Sequence, residues 1–311
     1  MNCNLTVSVI IPSYNSENFI RESVESVLSQ TYPIDEIIVI DDGSTDGSSS
    51  LLLDLERNNE NVRVITTSNN GASSARNTGL KLAKSDIVAF LDSDDYWVDN
   101  KIEIQIKYLL ENNYQALVSS LNIVDKNSKL ISHQDNYGND LIHKILRKKV
   151  SMMTPTLIFY KSLVEENNLS FNVNMKHYED HLFIISLASR GRLGAMRERL
   201  VNRRVHDSSS SSVFNIENCL KSVSVFEKEL NKIKATTEGL CTRDINYFKS
   251  HAYFSIAHLL FRKKNRLASL RYLFISISIR PSFKSMVLMF LCVLPFSNVI
   301  FNNISSQEVS D

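Results

Sequence analysis

The 311-residue sequence predicts an α/β protein: a mostly parallel central sheet with helices on both faces, followed by a helical C-terminal region. Three observations predict it. Over the first 120 residues, short apolar runs alternate with segments whose apolar residues recur at helical spacing. The runs are continuous rather than alternating, as expected of strands buried on both faces. Three of them end in polar residues: Ser13-Tyr14-Asn15, Asp41-Asp42-Gly43 and Asp92-Ser93-Asp94-Asp95. Such sheets bind ligands beyond the carboxyl ends of their strands, so the three clusters belong on one rim.

The elements follow in order. Residues 7–12 (VSVIIP) form the first strand. Residues 17–30 set Phe19, Ile20, Val24, Val27 and Leu28 on one helix face. A second strand at 36–40 (EIIVI) runs into Asp41-Asp42-Gly43. A helix at 48–57, a short strand at 62–65, a helix at 72–83 and a strand at 86–91 (DIVAFL) come next. The half closes with a helix at 99–111 and a strand at 116–120. Residues 121–212 are less regular, with helices expected at 141–149 and 179–190 and strands at 155–160 and 195–205. Ser208–Ser212 is a run of five serines, which sets the expected boundary between a catalytic region, 1–212, and a helical region, 213–311. There, Ile256, Leu259, Leu260, Leu267, Leu270 and Leu273 predict two helices with a turn near 263–265.

Composition excludes several classes. With 35 basic and 34 acidic side chains the chain is neither a strongly basic nucleic-acid binder nor an acidic disordered chain. Eight Gly and five Pro exclude collagen-like and linker-like architecture. The four cysteines show no CxxC spacing, so neither a zinc site nor a disulfide framework is expected. No signal peptide is read at the N-terminus, and a cytoplasmic location is expected. Neutrality hides a split. Residues 1–212 carry 22 basic and 27 acidic residues, a net of −5; residues 213–311 carry 13 and 7, a net of +6. Residues 262–284 hold seven Lys/Arg and no Asp/Glu, beside the apolar run 286–296. That run is shorter than the roughly 20 residues a spanning helix needs. A basic stretch beside an apolar one suits a helix on an anionic membrane face; packing on the first domain is the alternative.

The acidic rim carries the chemistry. Three carboxylates in four residues repel unless something holds them, and Mg²⁺ or Mn²⁺ bridging to substrate phosphates is such a partner. Asp42, at the end of a strand, can accept a nucleobase N–H or form an ordinary Asp-Gly turn. Tyr14 can stack on a base. Arg76 can pair a phosphate. Glu179-Asp180 opens an apolar helix, where acids suit the dipole and one can act as a general base. His206 can ligate a metal. Trp97 either packs under the site or lines an acceptor pocket. A GxGxxG dinucleotide loop is absent, as is the glycine-rich basic loop of a nucleotidyltransferase. A receiver-like signalling domain would explain Asp41-Asp42 but not the acids at Asp92 and Asp180.

Together, residues 7–15 (VSVIIPSYN), 38–46 (IVIDDGSTD), 71–79 (GASSARNTG), 88–97 (VAFLDSDDYW), 178–180 (YED) and 203–208 (RRVHDS) resemble the motifs of family 2 glycosyltransferases, in the family's order. The resemblance covers about residues 5–212. It implies the GT-A nucleotide-sugar-binding fold and an inverting transfer from a nucleotide-diphosphate sugar, a UDP-sugar first among candidates. It also implies site roles. Pro12, Tyr14 and the Asp41-Asp42 pair would surround the nucleobase, with Asp42 favoured as acceptor. Arg76 would hold the nucleotide side. Asp92 would approach the ribose or metal, Asp94 would bind a Mg²⁺ or Mn²⁺ ion, and Asp95 would extend that motif. His206 would lie near the metal and diphosphate. Asp180 would take the proton from the acceptor hydroxyl. The acceptor would be a glycan or a lipid-linked sugar at the inner face of the cytoplasmic membrane, as in O-antigen or capsule biosynthesis. The QxxRW motif of processive synthases is absent.

Overall fold

The computed structural model describes residues 5–138, 140–150, 152–206, 215–235 and 240–293. The chain forms two compact units that divide between Glu238 and Gly239.

In the first unit, strands β1 (Val7–Ser13), β2 (Glu36–Asp41), β3 (Val62–Thr66) and β4 (Ile87–Phe90) are parallel and lie in the order β3-β2-β1-β4. Every residue of β1 and β4 is buried, which is why both read as unbroken apolar runs. Helices α1 (Ile20–Leu28), α2 (Ser48–Asn58), α3 (Ala72–Leu82) and α4 (Lys101–Glu111) connect or follow these strands. Helix α3 lies close on β1: a Cβ on Gly79 would collide with the Ile10 side chain. Beyond β4 the sheet becomes mixed. β8 (Leu157–Tyr160) is antiparallel to β4 and to β6 (Ala116–Asp125), and β9 (Leu193–Val205) runs parallel to β6. Two short strands are absent from the sequence-based expectation: β5 (Tyr96–Trp97), paired with β9, and β7 (Leu130–Gln134), paired with β6. The chain reverses its winding between β1 and β4, which opens a crevice at their carboxyl ends.

Helix α5 (Leu141–Leu146) ends before the expected residue 149, because Lys148 takes a left-handed φ of 54°. Helix α6 (Lys161–Glu166) is short and was not legible in the sequence; α7 (Glu179–Ala188) lies at its expected position. The serine run Ser208–Ser212 lies outside the described residues. Helix α8 (Ile216–Lys234), expected beyond the boundary, belongs to the first unit. It buries Cys219, Val223, Phe226 and Leu230, and its Ser222 Oγ accepts the backbone N–H groups of Lys176 and His177 at 3.1 and 3.2 Å. These ties carry the first unit past residue 212.

The second unit packs α9 (Thr242–Arg262), α10 (Arg266–Ile279) and α11 (Phe283–Val293) around Ala257, Phe261, Leu273, Leu288 and Leu291. The expected turn is present, with Lys264 at φ 62° between α9 and α10. Among the described residues no helix is long and apolar enough to cross a membrane. The last part of the apolar run, residues 294–296, lies outside the described residues.

Candidate active site

A cleft of about 530 Å³ opens on the rim where β1, β2 and β4 end. Nine of the ten residues to which the family resemblance assigns a role line it: Pro12, Tyr14, Asp42, Arg76, Asp92, Asp94, Asp95, Asp180 and His206. The register explains the near side. Ser13 pairs with Asp41, and the Asp42 N–H donates to the Ser13 carbonyl at 2.8 Å. Tyr14 is half exposed at the mouth. Asn15, at φ 48°, accepts the Thr45 N–H at 2.8 Å and so joins the loops after β1 and β2.

The Asp41-Asp42 pair divides its work. Asp41 is turned away from the cleft. Its Oδ1 accepts the Ser44 N–H at 3.0 Å and its Oδ2 the Ser49 hydroxyl at 2.6 Å, so it orders the loop that enters α2. Asp42 faces the cleft, but its carboxylate already accepts from Thr67 Oγ1 (2.9 Å), the Asn70 N–H (3.0 Å) and the Gly71 N–H (2.6 Å). It therefore holds the loop that leads into α3, with little acceptor capacity to spare. Gly71 enters that helix at φ 88°, a conformation that favours glycine.

Helix α3 delivers Arg76 to the floor, 4% exposed. Its Nη2 donates to Asp92 Oδ1 at 2.7 Å and its Nη1 to Asp180 Oδ1 at 3.2 Å, while the guanidinium lies 5.4 Å from the Phe171 ring centre. Burial works against its charge; Asp180, Asp92 and Glu179 outweigh that and raise its pKa. One guanidinium thus joins a carboxylate of the rim after β4 to the carboxylate that opens α7.

The acidic loop after β4 is built around distinct partners. Asp92 pairs with Arg76. Asp94 Oδ2 lies 3.1 Å from His206 Nε2. Asp95, buried, accepts the Arg204 N–H at 2.8 Å. From α1, the Ser23 hydroxyl donates to the carbonyls of Ser93 (2.9 Å) and Asp95 (2.6 Å). Burial raises the pKa of Asp94, and the Asp92 charge adds to it; His206 acts in the other direction. Burial likewise pushes Asp95 well above the usual carboxylate range, with Asp94 and Asp92 contributing.

Asp180 sits in the first turn of α7. Tyr178, just before it, takes a left-handed φ of 67°, a strained choice for a bulky side chain. Its ring is fixed by Phe226 of α8 at 6.1 Å and by the Lys148 ammonium at 4.8 Å. That kink turns Glu179 and Asp180 into the cleft. Among the described residues Asp180 Oδ2 has only long contacts, 3.3 and 3.4 Å, to the Thr154 hydroxyl and N–H. Burial dominates its titration and, with the charges of Glu179 and Asp92, outweighs Arg76, so its pKa is pushed up to about 7.

Sequence reasoning missed Arg204. It is 2% exposed, its Nη1 donates to the Asp94 carbonyl at 2.9 Å and its Nη2 to Glu22 Oε2 at 2.7 Å, and its guanidinium lies 4.8 Å from the Phe19 ring centre. Arg204 clamps the acidic loop between β9 and α1. Its one signal was the pair Arg203-Arg204 beside His206. Trp97 packs under the site: it is 2% exposed, and its indole N–H donates to the Pro155 carbonyl at 3.2 Å.

Residues 8–169, more than half of the chain, match the family described as Glycosyl transferase family 2. The chain belongs to that family. A Rickettsia bellii protein described as an uncharacterized glycosyltransferase is 35% identical over 207 residues, covering 66% of this chain and 29% of its own length. The chain spans about a third of the length of the curated relatives it matches first. An Escherichia coli family relative, UDP-Glc:alpha-D-GlcNAc-diphosphoundecaprenol beta-1,3-glucosyltransferase WfgD, is 33% identical over 209 residues, covering 66% of this chain and 78% of its own. Among solved structures, residues 1–349 of S. aureus TarS in complex with UDP-GlcNAc superpose with a TM-score of 0.66 at 21% identity, over 92% of this chain and 84% of that one. That likeness extends the shared fold beyond the residues the family match covers.

Proposed function

We propose that this chain is an inverting glycosyltransferase. It moves a sugar from a nucleotide-diphosphate donor, a UDP-sugar, to a hydroxyl of a glycan or lipid-linked acceptor in bacterial surface polysaccharide biosynthesis. One observation carries the reading: Arg76 joins Asp92 to Asp180 within one cleft, and Asp180 has a pKa near neutrality. The family supports the reaction class. The activity for which the WfgD relative is named, with a UDP-glucose donor and a diphosphoundecaprenol-linked acceptor, supports the substrates. With a lipid-linked acceptor the work would be done at the inner face of the cytoplasmic membrane.

The acceptor hydroxyl is a poor nucleophile until its proton leaves, and a carboxylate with a pKa near 7 is poised to take it. The acceptor oxygen bonds to the anomeric carbon as the bond to the diphosphate breaks. The proton goes to Asp180, and the nucleoside diphosphate leaves with the electron pair. A single displacement from an α-linked donor gives a β-linked product. Arg76 keeps the Asp180 carboxylate aimed into the cleft. Tyr14 and Pro12 offer a wall for the base, and Asp42 holds the loop beside it.

The residues present fit a divalent cation. Burial and the Asp92 charge both raise the pKa of Asp94, and a dication beside it would act against both. Asp94, with Asp92 and His206 beside it, would hold Mg²⁺ or Mn²⁺; Asp95, committed to the Arg204 N–H, would support the loop. Among the described residues no three such side chains form a cage, so the rest of the shell would have to come from substrate phosphates. When bound, the cation neutralises charge on the leaving diphosphate.

The deciding experiment incubates the protein with a panel of sugar nucleotides and follows nucleoside diphosphate release. Release confined to one sugar nucleotide, dependent on an acceptor and lost with EDTA, is the expected result. Activity untouched by EDTA would remove the cation from the reading. Asp94→Ala is expected to weaken Mn²⁺-dependent UDP binding at least ten-fold in calorimetry, on the scale of one lost charge-assisted ligand.

A further inference from the structure

Helix α11 has two apolar faces. Ser285, Leu288, Leu291 and Cys292 are buried in the second unit. Phe283, Met286, Val287, Phe290 and Val293 are exposed, with relative accessibilities of 79, 49, 39, 66 and 70%. At 100° per residue these five fall within an arc of about 120°, so they form one stripe with no polar side chain in it. On α10, Leu267 and Phe274, one heptad apart, are also exposed, at 83 and 67%. Isolated exposed apolar residues are ordinary; a continuous stripe of this kind marks an interaction surface.

The surrounding charge identifies the occupant. Residues 245–293 contain eight Lys/Arg and no Asp/Glu. Arg271 and Lys284 are exposed beside the apolar positions of α10 and α11. A second copy meeting this face through a two-fold axis would set these like charges against each other. An acidic headgroup layer over an acyl interior satisfies both features at once. We infer that the outer face of α11 inserts into an anionic lipid surface, with Arg271 and Lys284 lying among the headgroups. The inference gives the membrane location of the transferase reading a defined surface, yet it does not depend on the chemistry, because its test reads lipid binding.

The test uses the full chain and vesicles of phosphatidylcholine alone or mixed with phosphatidylglycerol. Co-sedimentation with the mixed vesicles, and at least ten-fold less with phosphatidylcholine, is the expected result. Phe283→Ser with Phe290→Ser should weaken binding at least ten-fold, given the apolar area withdrawn from the bilayer. Arg271→Glu with Lys284→Glu should cost roughly five-fold per charge removed and abolish the preference for phosphatidylglycerol. Phe290→Trp supplies a depth probe, because the single native tryptophan, Trp97, is buried; its emission should shift to the blue with mixed vesicles only. Circular dichroism and UDP binding should match wild type in every variant, which separates failure of this inference from misfolding and from failure of the transferase reading. No sedimentation with mixed vesicles would overturn the inference. So would a concentration-dependent doubling of mass that the phenylalanine variant abolishes while vesicle binding stays absent.

Discussion

Asp180 carries opposing pressures that yield two linked predictions. Its pKa of about 7 lies above the ordinary carboxylate value, so the folded chain binds a proton that the unfolded chain has already released. Stability from this group therefore falls as pH rises from about 4 to about 7 and stays low above it. Activity runs the other way, because the base must be ionised. The rate kcat/KM should rise through a limb near pH 7 and level off above it. Asp180→Asn should lower kcat by about 10²–10⁴-fold, the usual range for a positioned base. The same variant should melt higher than wild type at pH 8, with the gain shrinking towards pH 5. A kcat within two-fold of wild type would remove Asp180 from the base role. The carboxylates were legible as residues because they punctuate apolar runs. Which residues pair with which was not. Arg76 and Asp180 are 104 positions apart, and Arg204 and Asp94 are 110 apart. No local pattern distinguishes a buried arginine that clamps a loop from one on a solvated face. Asp41 illustrates the converse: beside Asp42 in the chain, it is turned by strand alternation and the following turn towards Ser44 and Ser49.

At the scale of elements, the parallel strands were read from their continuous apolar runs, and the helices between them from period. The additions past β4 were not. β5 has two residues and β7 is exposed, so neither carries the apolar signature of a core strand. Glycine marks the tightest element contact. Gly79 in α3 sits against Ile10, which is fully buried in the central strand β1. Alanine there gains about 1 kcal/mol of helix propensity but adds a methyl to a full core, a penalty of about 1–3 kcal/mol. The overlap with the Ile10 side chain puts the penalty in the upper part of that range, about 2–3 kcal/mol, so Gly79→Ala should lose about 1–2 kcal/mol net in chemical denaturation. Because α3 also carries Arg76, the variant should bind UDP more weakly than its stability loss explains. Unchanged stability would mean that α3 can lift from β1 without cost.

For the whole molecule, the near-neutral total conceals two units of opposite character. All cleft-lining residues lie in the first unit, between Pro12 and His206, and that unit holds the carboxylates that a cation and a diphosphate would draw together. The second unit is a small helical core with a basic, apolar exterior. Ligands stabilise the state that binds them by RT ln(1 + [L]/Kd), about 2.7 kcal/mol at a hundred-fold excess over Kd. Local opening near the cleft should be suppressed by a comparable amount, while opening of segments that do not contact the ligand keeps its own free energy. Hydrogen exchange with UDP and Mn²⁺ should therefore slow in the loops at 13–16, 42–45, 67–71 and 92–95 and at the start of α7. Exchange in α9, α10 and α11 should stay unchanged. Anionic vesicles should give the complementary pattern, with α11 protected and the cleft loops unaffected. Protection of α11 by UDP alone would show that the two ligands act through one coupled structure, and would replace a division of labour between the units with a linkage between membrane and donor binding.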